Sequence, residues 1–181
     1  MTTTKLFVWL AAFALPLAMI QSTAAKAGSP VALAQCTGIT DLVAFVAGET
    51  GYQPMRNCPP VSVTTDAVLK SMLALTARDN GEEPMAMYVP AGAEILLGPD
   101  VDLASALGRS YLVHELVHAY QDDEGVASEA PCLGWLEEEA YRVQASYLRI
   151  QGFAKDASTF AFLGLLQGAC GHAYHPEMAG K

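Results

Sequence analysis

The sequence predicts a single α+β domain that is mainly helical and carries a short antiparallel β-sheet. The chain has 181 residues, 52% of them hydrophobic, which suits one globular domain around one core. Stretches with apolar residues at helical spacing lie on both sides of a middle region that has two short apolar runs and turn residues. Because no repeat, low-complexity tract or long linker divides the chain, we expect these elements to form one unit.

The first 27 residues are typical of a secretory signal peptide. Lys5 precedes the apolar run LFVWLAAFALPLAMI, and small residues follow it, with Ala25 and Ala27 in an A-x-A pattern. The run contains Pro16 and is shorter than the roughly 20 residues that span a bilayer. We therefore expect cleavage after Ala27, although cleavage after Ala25 also fits, and a mature domain over residues 28–181 that is secreted or periplasmic.

The charge of the chain excludes two classes of partner. Cleavage would remove Lys5, Lys26 and no acidic residue, so the net charge would fall from -9 to -11. Binding to nucleic acid or to acidic lipid headgroups requires a basic surface. We expect neither nucleic acid nor a membrane as a partner of the mature domain.

Four cysteines in the mature part predict two disulfides, because exported proteins fold in oxidising compartments. Three pairings exist. We favour the pairing that encloses two compact helical regions, Cys36 with Cys58 and Cys132 with Cys170. A four-cysteine metal site is the alternative, but these cysteines lie far apart in the sequence.

The first half of the mature chain predicts two helices. In TGITDLVAFVAGETGY, apolar residues recur at helical spacing at Ile39, Leu42, Phe45 and Val46. The prolines of RNCPPVSV interrupt this pattern. The second helix, in TTDAVLKSMLALTARDNG, is expected to begin at Thr64 or Thr65 and to end at Asn80–Gly81.

The middle of the chain predicts the sheet, and the second half predicts three more helices. The runs MAMYV and AEILLG are joined through Pro90 and Gly92, which favours two strands in a hairpin or meander. From Asp102 the pattern is helical for about twenty residues, until DDEGVASEAP breaks it. Further helices are predicted in LGWLEEEAYRVQASYLRIQG and DASTFAFLGLLQGAC.

His114, Glu115 and His118 form an H-E-x-x-H motif inside the third predicted helix. Residues four apart project from one face of a helix, so both imidazoles could bind one metal ion and Glu115 could reach a water beside it. A catalytic zinc site also needs a third protein ligand. The alternative interpretation is two histidines that face the core and a solvated glutamate.

The sequence resembles the gluzincin branch of the zincin metallopeptidases, in which a glutamate on the next helix follows H-E-x-x-H in an E-x-x-A/S-D-like pattern. Glu137 to Ala140 matches this pattern, 18 residues after His118. The resemblance implies a zinc site of His114, His118 and Glu137, with Glu115 as the general base. Tyr141 stands where many members carry Asp, so the usual orienting carboxylate is missing.

Other acids compete with Glu137 as the third ligand. Glu138 and Glu139 follow it directly, but three consecutive residues cannot all face one metal, and at least one belongs to a solvated face. The metzincin pattern would place Gly at position 121 and a ligand at position 124. The chain has Gln121 and Glu124 there, and without the glycine turn Glu124 is a weak candidate.

Several further side chains are able to take part in the chemistry. His172 and His175 are additional ligand or donor candidates, although we favour a polar tail as their interpretation. Tyr111, Tyr120 and Tyr141 are candidate oxyanion donors, and each also fits a core or rim position.

The resemblance implies a zincin-like fold with the sheet beside the H-E-x-x-H helix, and a zinc-dependent peptidase with a peptide or protein substrate. In zincins an edge strand binds an extended peptide, and Glu94–Gly98 is our candidate for that strand. The alternative function is an exported binding module of zincin fold without turnover. A purely structural helical protein is the third hypothesis.

Overall fold

The computed structural model describes residues 36–55, 57–75 and 83–170. The predicted signal peptide, residues 1–27, lies outside these ranges, and so do His172, His175 and the predicted helix end at Asn80–Gly81. Within these ranges, no helix combines the length and apolar character needed to cross a membrane.

Helices make up most of the described chain, which confirms the prediction of a mainly helical α+β fold. The helices are α1 (Thr40–Thr50), α2 (Asp66–Leu75), α3 (Ala106–Asp123), α4 (Val126–Glu129), α5 (Leu133–Ile150) and α6 (Ala154–Gln167). The strands are β1 (Val61–Val63), β2 (Ala86–Val89) and β3 (Glu94–Leu97). The short α4 lies inside the predicted break DDEGVASEAP and follows Gly125, whose φ of 76° ends the preceding helix in the left-handed region.

The sheet has the strand order β1-β3-β2. The antiparallel pairing of β2 and β3 confirms the predicted hairpin, whose turn is a 3-10 segment over Pro90–Gly92. Strand β1 pairs with β3 in parallel, with Val61 opposite Ile95, and so the sheet is mixed rather than purely antiparallel. The prediction of an edge strand at Glu94–Gly98 is therefore wrong: β3 is central because β1 covers its other side, and β2 lies at the edge.

Helix α3 is the centre of the fold. Its N-terminus is capped by Ser105, whose Oγ accepts a hydrogen bond from Gly108 N–H at 2.9 Å. Most of its residues are buried, because it packs against α1, the sheet and α5. Its apolar core residues include Leu112, Val113, Leu116 and Val117. A helix that is buried on nearly all sides can present polar side chains only into an internal site or cleft.

Helices α5 and α6 form an antiparallel hairpin beside α3. They approach closely at Gly134, where an added Cβ would lie 2.2 Å from the backbone oxygen of Gln167. The connection uses Gly152, whose φ is 87°. In this hairpin, the glutamate-rich segment of α5 lies beside the face of α3 that contains the H-E-x-x-H motif.

The structure contains the two disulfides that we favoured. Cys36 pairs with Cys58 across a Cα separation of 5.4 Å, and Cys132 pairs with Cys170 across 5.8 Å. The first disulfide encloses α1, and the second ties the start of α5 to the residues after α6. Since disulfides persist in oxidising compartments, they indicate an extracytoplasmic protein.

Candidate metal centre

His114 and His118 lie on the same face of α3, one turn apart, as their spacing predicts. Their Nε2 atoms are 3.2 Å apart, and the rings meet edge to face with centroids 4.9 Å apart. His114 is 8% exposed. The two imidazoles thus direct their outer nitrogens at one point.

Glu137 on α5 reaches the same point from the neighbouring helix. Its Oε2 lies 3.3 Å from His114 Nε2, and its Oε1 lies 3.4 Å from His118 Nε2. The carboxylate is buried between the helices. The structure brings together the three residues that the sequence suggested as ligands, and this group could hold a metal ion.

The competing acids of the sequence lie elsewhere. Glu138 is exposed. Glu139 accepts a hydrogen bond from Tyr52 Oη at 2.5 Å, and Glu124 accepts one from the backbone N–H of Gln53 at 3.0 Å. Among the described residues, none of these acids belongs to the cluster that could hold a metal.

The candidate ligand atoms lie close enough together to bind one metal ion. Zinc bonds of about 2.0–2.2 Å at tetrahedral angles place neighbouring ligand atoms about 3.3–3.6 Å apart. The two Nε2 atoms, 3.2 Å apart, are close to that range, whereas the histidines contact different oxygens of Glu137, Oε2 at 3.3 Å and Oε1 at 3.4 Å. One ligand atom from each of the three residues can be chosen so that all lie within 4.8 Å of one another. Two imidazole nitrogens and a carboxylate are also a donor set that zinc enzymes use. The residues present therefore fit a bound metal ion.

The cluster is also electrostatically coupled. Burial lowers the pKa of His118, but the neighbouring Glu137 carboxylate outweighs this effect and raises the pKa to about 9. Burial raises the pKa of Glu137, while His118 and His114 hold it well below its usual range. The carboxylate is thus ionised near neutral pH and offers a negative charge to a cation.

Glu115, beside His114, points toward the sheet. Its Oε2 accepts a hydrogen bond from the backbone N–H of Tyr88 on β2 at 2.7 Å. The side chain is only 8% exposed. This carboxylate lines the same cleft as His114, His118 and Glu137. Its catalytic role stays a prediction.

Two glutamines contact the Nδ1 atoms of the histidines, on the side of each ring that faces away from the cluster. Gln144 Oε1 lies 3.1 Å from His114 Nδ1, and Gln121 Oε1 lies 2.8 Å from His118 Nδ1. Sequence reasoning missed this role for both residues. Position 141 carries Tyr where many gluzincins have Asp, and the groups beside the two Nδ1 atoms are side-chain amides and not carboxylates. The Tyr141 ring packs edge to face on His114, with the ring centroids 4.5 Å apart.

The cluster lies in a cleft of about 540 Å³ between the edge strand and the α5–α6 hairpin. Tyr111 and Tyr141 line this cleft. Tyr120, the third predicted oxyanion candidate, does not: its ring is fully buried in the core, and its hydroxyl donates to Val43 O at 3.2 Å. The rest of the lining is largely apolar and includes Met85, Met87, Leu133, Leu136, Phe160 and Leu163.

Comparison with known proteins gives one match. A family model described as "Domain of unknown function (DUF6647)" matches residues 32–177. No curated protein matches the chain, and no solved structure matches it.

Proposed function

This chain belongs to the DUF6647 family, and we propose that it is a zinc-dependent metallopeptidase of gluzincin type. The observation that carries the proposal is the cluster of His114, His118 and Glu137, with the Glu115 carboxylate beside it at the wall of a cleft. Two ligands from H-E-x-x-H and a glutamate from the following long helix are the arrangement on which the gluzincin resemblance rests. We propose zinc as the metal because two imidazole nitrogens and one carboxylate are a donor set that suits it.

In this proposal the metal and the residues around it have separate catalytic roles. Bound zinc would polarise the scissile carbonyl and lower the pKa of a water molecule. Glu115 would accept a proton from that water and pass it to the leaving amine, while the Tyr88 N–H fixes the direction of its carboxylate. The hydroxyl of Tyr111 or Tyr141 would donate to the oxygen that gains negative charge.

The edge strand β2 supports a peptide as the substrate. Gly98 N–H donates to Met85 O at 2.7 Å, so by antiparallel alternation Ala86 and Tyr88 direct their backbone groups to the outer edge. The contact from Tyr88 to Glu115 agrees with that direction. An extended peptide could pair along this edge through the outward backbone groups other than the Tyr88 N–H, which is bonded to Glu115, with its scissile bond near the cluster. The apolar lining of the cleft favours apolar side chains around that bond.

The proposal includes export. The signal peptide over residues 1–27 would direct the mature domain, residues 28–181, to the periplasm or the medium. An acidic surface favours neutral or basic peptide and protein substrates over nucleic acids.

The metal site can be tested by elemental mass spectrometry of purified mature protein. We expect about one zinc per chain in the wild type, a large loss in Glu137→Gln, and no loss in Glu138→Gln. The last variant is a matched control, since it makes the same change of charge at the exposed neighbouring position on α5. Absence of zinc from wild-type protein prepared without chelator would contradict the proposal and favour a structural role.

The peptidase activity can be tested with a broad peptide library. We expect the zinc-loaded wild type to cleave peptides and Glu115→Gln to lose hydrolysis while retaining zinc, because only the proton acceptor changes. Glu129→Gln, on the exposed α4, is the control. A zinc-loaded wild type that cleaves no peptide would favour the binding module instead.

A further inference from the structure

Gln121 has an orientation that its surroundings fix. Its Nε2 donates to Leu136 O at 3.0 Å and to Glu139 Oε2 at 3.1 Å, and both partners are acceptors only. Turning the amide over would place its oxygen against a carbonyl and a carboxylate. Oε1 therefore faces His118 Nδ1, and because an amide oxygen accepts only, Nδ1 must carry the proton.

Gln144 is oriented by an uncharged serine rather than by a charged group. The hydroxyl of Ser110 donates its one proton to Leu107 O at 2.7 Å, so its oxygen accepts from Gln144 Nε2 at 3.1 Å. This again leaves Oε1 toward the ring, 3.1 Å from His114 Nδ1. The same conclusion follows for this histidine: the proton is on Nδ1, and Nε2 is the nitrogen left for coordination.

We propose that Gln121 and Gln144 are positioning residues that hold both ligand imidazoles in the Nδ1–H form with uncharged acceptors. This inference rests on the proposed metal site and deepens it. A ligand histidine commonly donates to a carboxylate, a carbonyl or water. Here both partners are side-chain amides, so they orient the rings without adding negative charge beside the cation.

The support behind Gln121 extends to another part of the chain. Glu139 Oε2 accepts from Gln121 and also from Tyr52, which lies inside the loop closed by the Cys36–Cys58 disulfide. A line of hydrogen bonds thus runs from His118 through Gln121 and Glu139 to Tyr52. The Gln144 amide donates instead to the Ser110 hydroxyl, which is uncharged.

This difference gives a test by isosteric substitution. In Gln144→Glu, the Ser110 hydroxyl has a proton that it can transfer from its bond with Leu107 O to a bond with the new carboxylate, which still accepts from His114 Nδ1. In Gln121→Glu, the new carboxylate would face Leu136 O and the Glu139 carboxylate, neither of which can donate. We expect zinc affinity, measured by competition with a chromophoric chelator, to fall about 10–100-fold in Gln121→Glu and to stay equal or increase in Gln144→Glu.

A double variant separates positioning from simple damage to the fold. Gln121→Glu combined with Glu139→Gln restores a donor opposite the carboxylate and should recover most of the lost affinity. Equal losses in both single variants, no loss in either, or no recovery in the double variant would overturn the inference. Circular dichroism of each variant checks that the chain has folded.

The proton positions can be read directly in the wild type by ¹⁵N NMR of the histidine rings. We expect zinc-loaded protein to show coordination through Nε2 and a proton on Nδ1 in both rings, and metal-free protein to retain both Nδ1 protons. Coordination through Nδ1 in either ring, or a missing Nδ1 proton, would overturn the inference. Failure of the wild type to bind zinc would instead refute the proposed function, while the metal-free spectrum would still test the hydrogen bonds.

Discussion

Tyr88 donates its backbone N–H to Glu115 Oε2 over 2.7 Å, which joins the edge strand of the sheet to the central helix. A hydrogen bond to a charged group contributes about 1.5–3 kcal/mol, and this one fixes the position of the Glu115 carboxylate. In the proposed mechanism the sheet therefore orients the general base. Because the donor is the backbone of Tyr88, a substitution at position 88 leaves this donor in place unless the new residue is proline.

Tyr88→Pro is expected to lower kcat about 10–100-fold, because proline has no N–H to orient Glu115. The position is at an edge strand with its N–H directed outward, where proline is tolerated. Tyr88→Ala is the matched control, since it also loses the ring and its bond to Asp122 but keeps the N–H. Peptide hydrolysis at saturating substrate measures the difference. Equal rates in the two variants would argue against an orienting role.

The stability of the metal-free protein is expected to fall as the pH rises from 6.5 to 9. The pKa of His118 is raised from 6.5 to about 9, so the folded state holds a proton that the unfolded state has lost in this range. This contribution, on the order of 3 kcal/mol, is complete below pH 6.5 and lost above pH 9. Urea unfolding in the presence of chelator measures it.

Glu137 is expected to affect the free energy of unfolding at acidic pH. Its pKa is held below the ordinary value of 4.5, so its contribution is present above pH 4.5 and lost as the pH falls through the folded-state value. In Glu137→Gln, the alkaline decrease should be much smaller, because the charge that raises the pKa of His118 is gone. An unchanged alkaline slope in this variant would exclude the His118–Glu137 pair as its cause.

Gly134→Ala is expected to destabilise the fold by about 1–3 kcal/mol through overpacking. The added Cβ would lie 2.2 Å from Gln167 O, so α5 and α6 would have to separate. Gly48→Ala is the opposite case: it lies in α1 with nothing within 4 Å of an added Cβ. There we expect stabilisation of about 0.5–1 kcal/mol from helix propensity. Thermal unfolding of both variants should shift in opposite directions.

Loss of the Cys132–Cys170 disulfide is expected to reduce the free energy of unfolding by about 2–4 kcal/mol. The bond closes a separation of 38 residues that contains all of α5 and α6. Denaturant unfolding of the Cys132→Ser/Cys170→Ser variant would measure the loss. Reductant should then have a smaller effect on this variant than on the wild type, since only Cys36–Cys58 remains to be broken among the described residues.

The candidate ligands could be identified from the sequence because their geometry is local. The H-E-x-x-H spacing places two histidines on one helical face, and the following long helix must pack against the first to bury its own apolar face. Glu137 was harder to distinguish from Glu138 and Glu139 as the third ligand. Its selection depends on the rotation of α5 about its own axis, which core residues such as Ala140 and Val143 determine.

What the sequence could not reveal depends on contacts between distant segments. The position of β3 at the centre of the sheet follows from β1, a three-residue strand after two prolines that joins from more than thirty residues away. The roles of the glutamines were hidden for a different reason. Gln121 was visible only as a departure from the metzincin glycine, and Gln144 has no pattern that separates it from an ordinary helical glutamine.

The three candidate ligands and both glutamines lie within residues 114–144, on two helices joined by a short connection. Loop closure over so few residues has a low entropic cost, and contacts that are local in sequence form early in folding. Tyr88 and Tyr52 join from distant segments and therefore arrive later. In the proposed function, the helical pair would acquire its affinity for metal before the sheet orients Glu115, so that a chain still folding would bind the cation before it could cleave other chains.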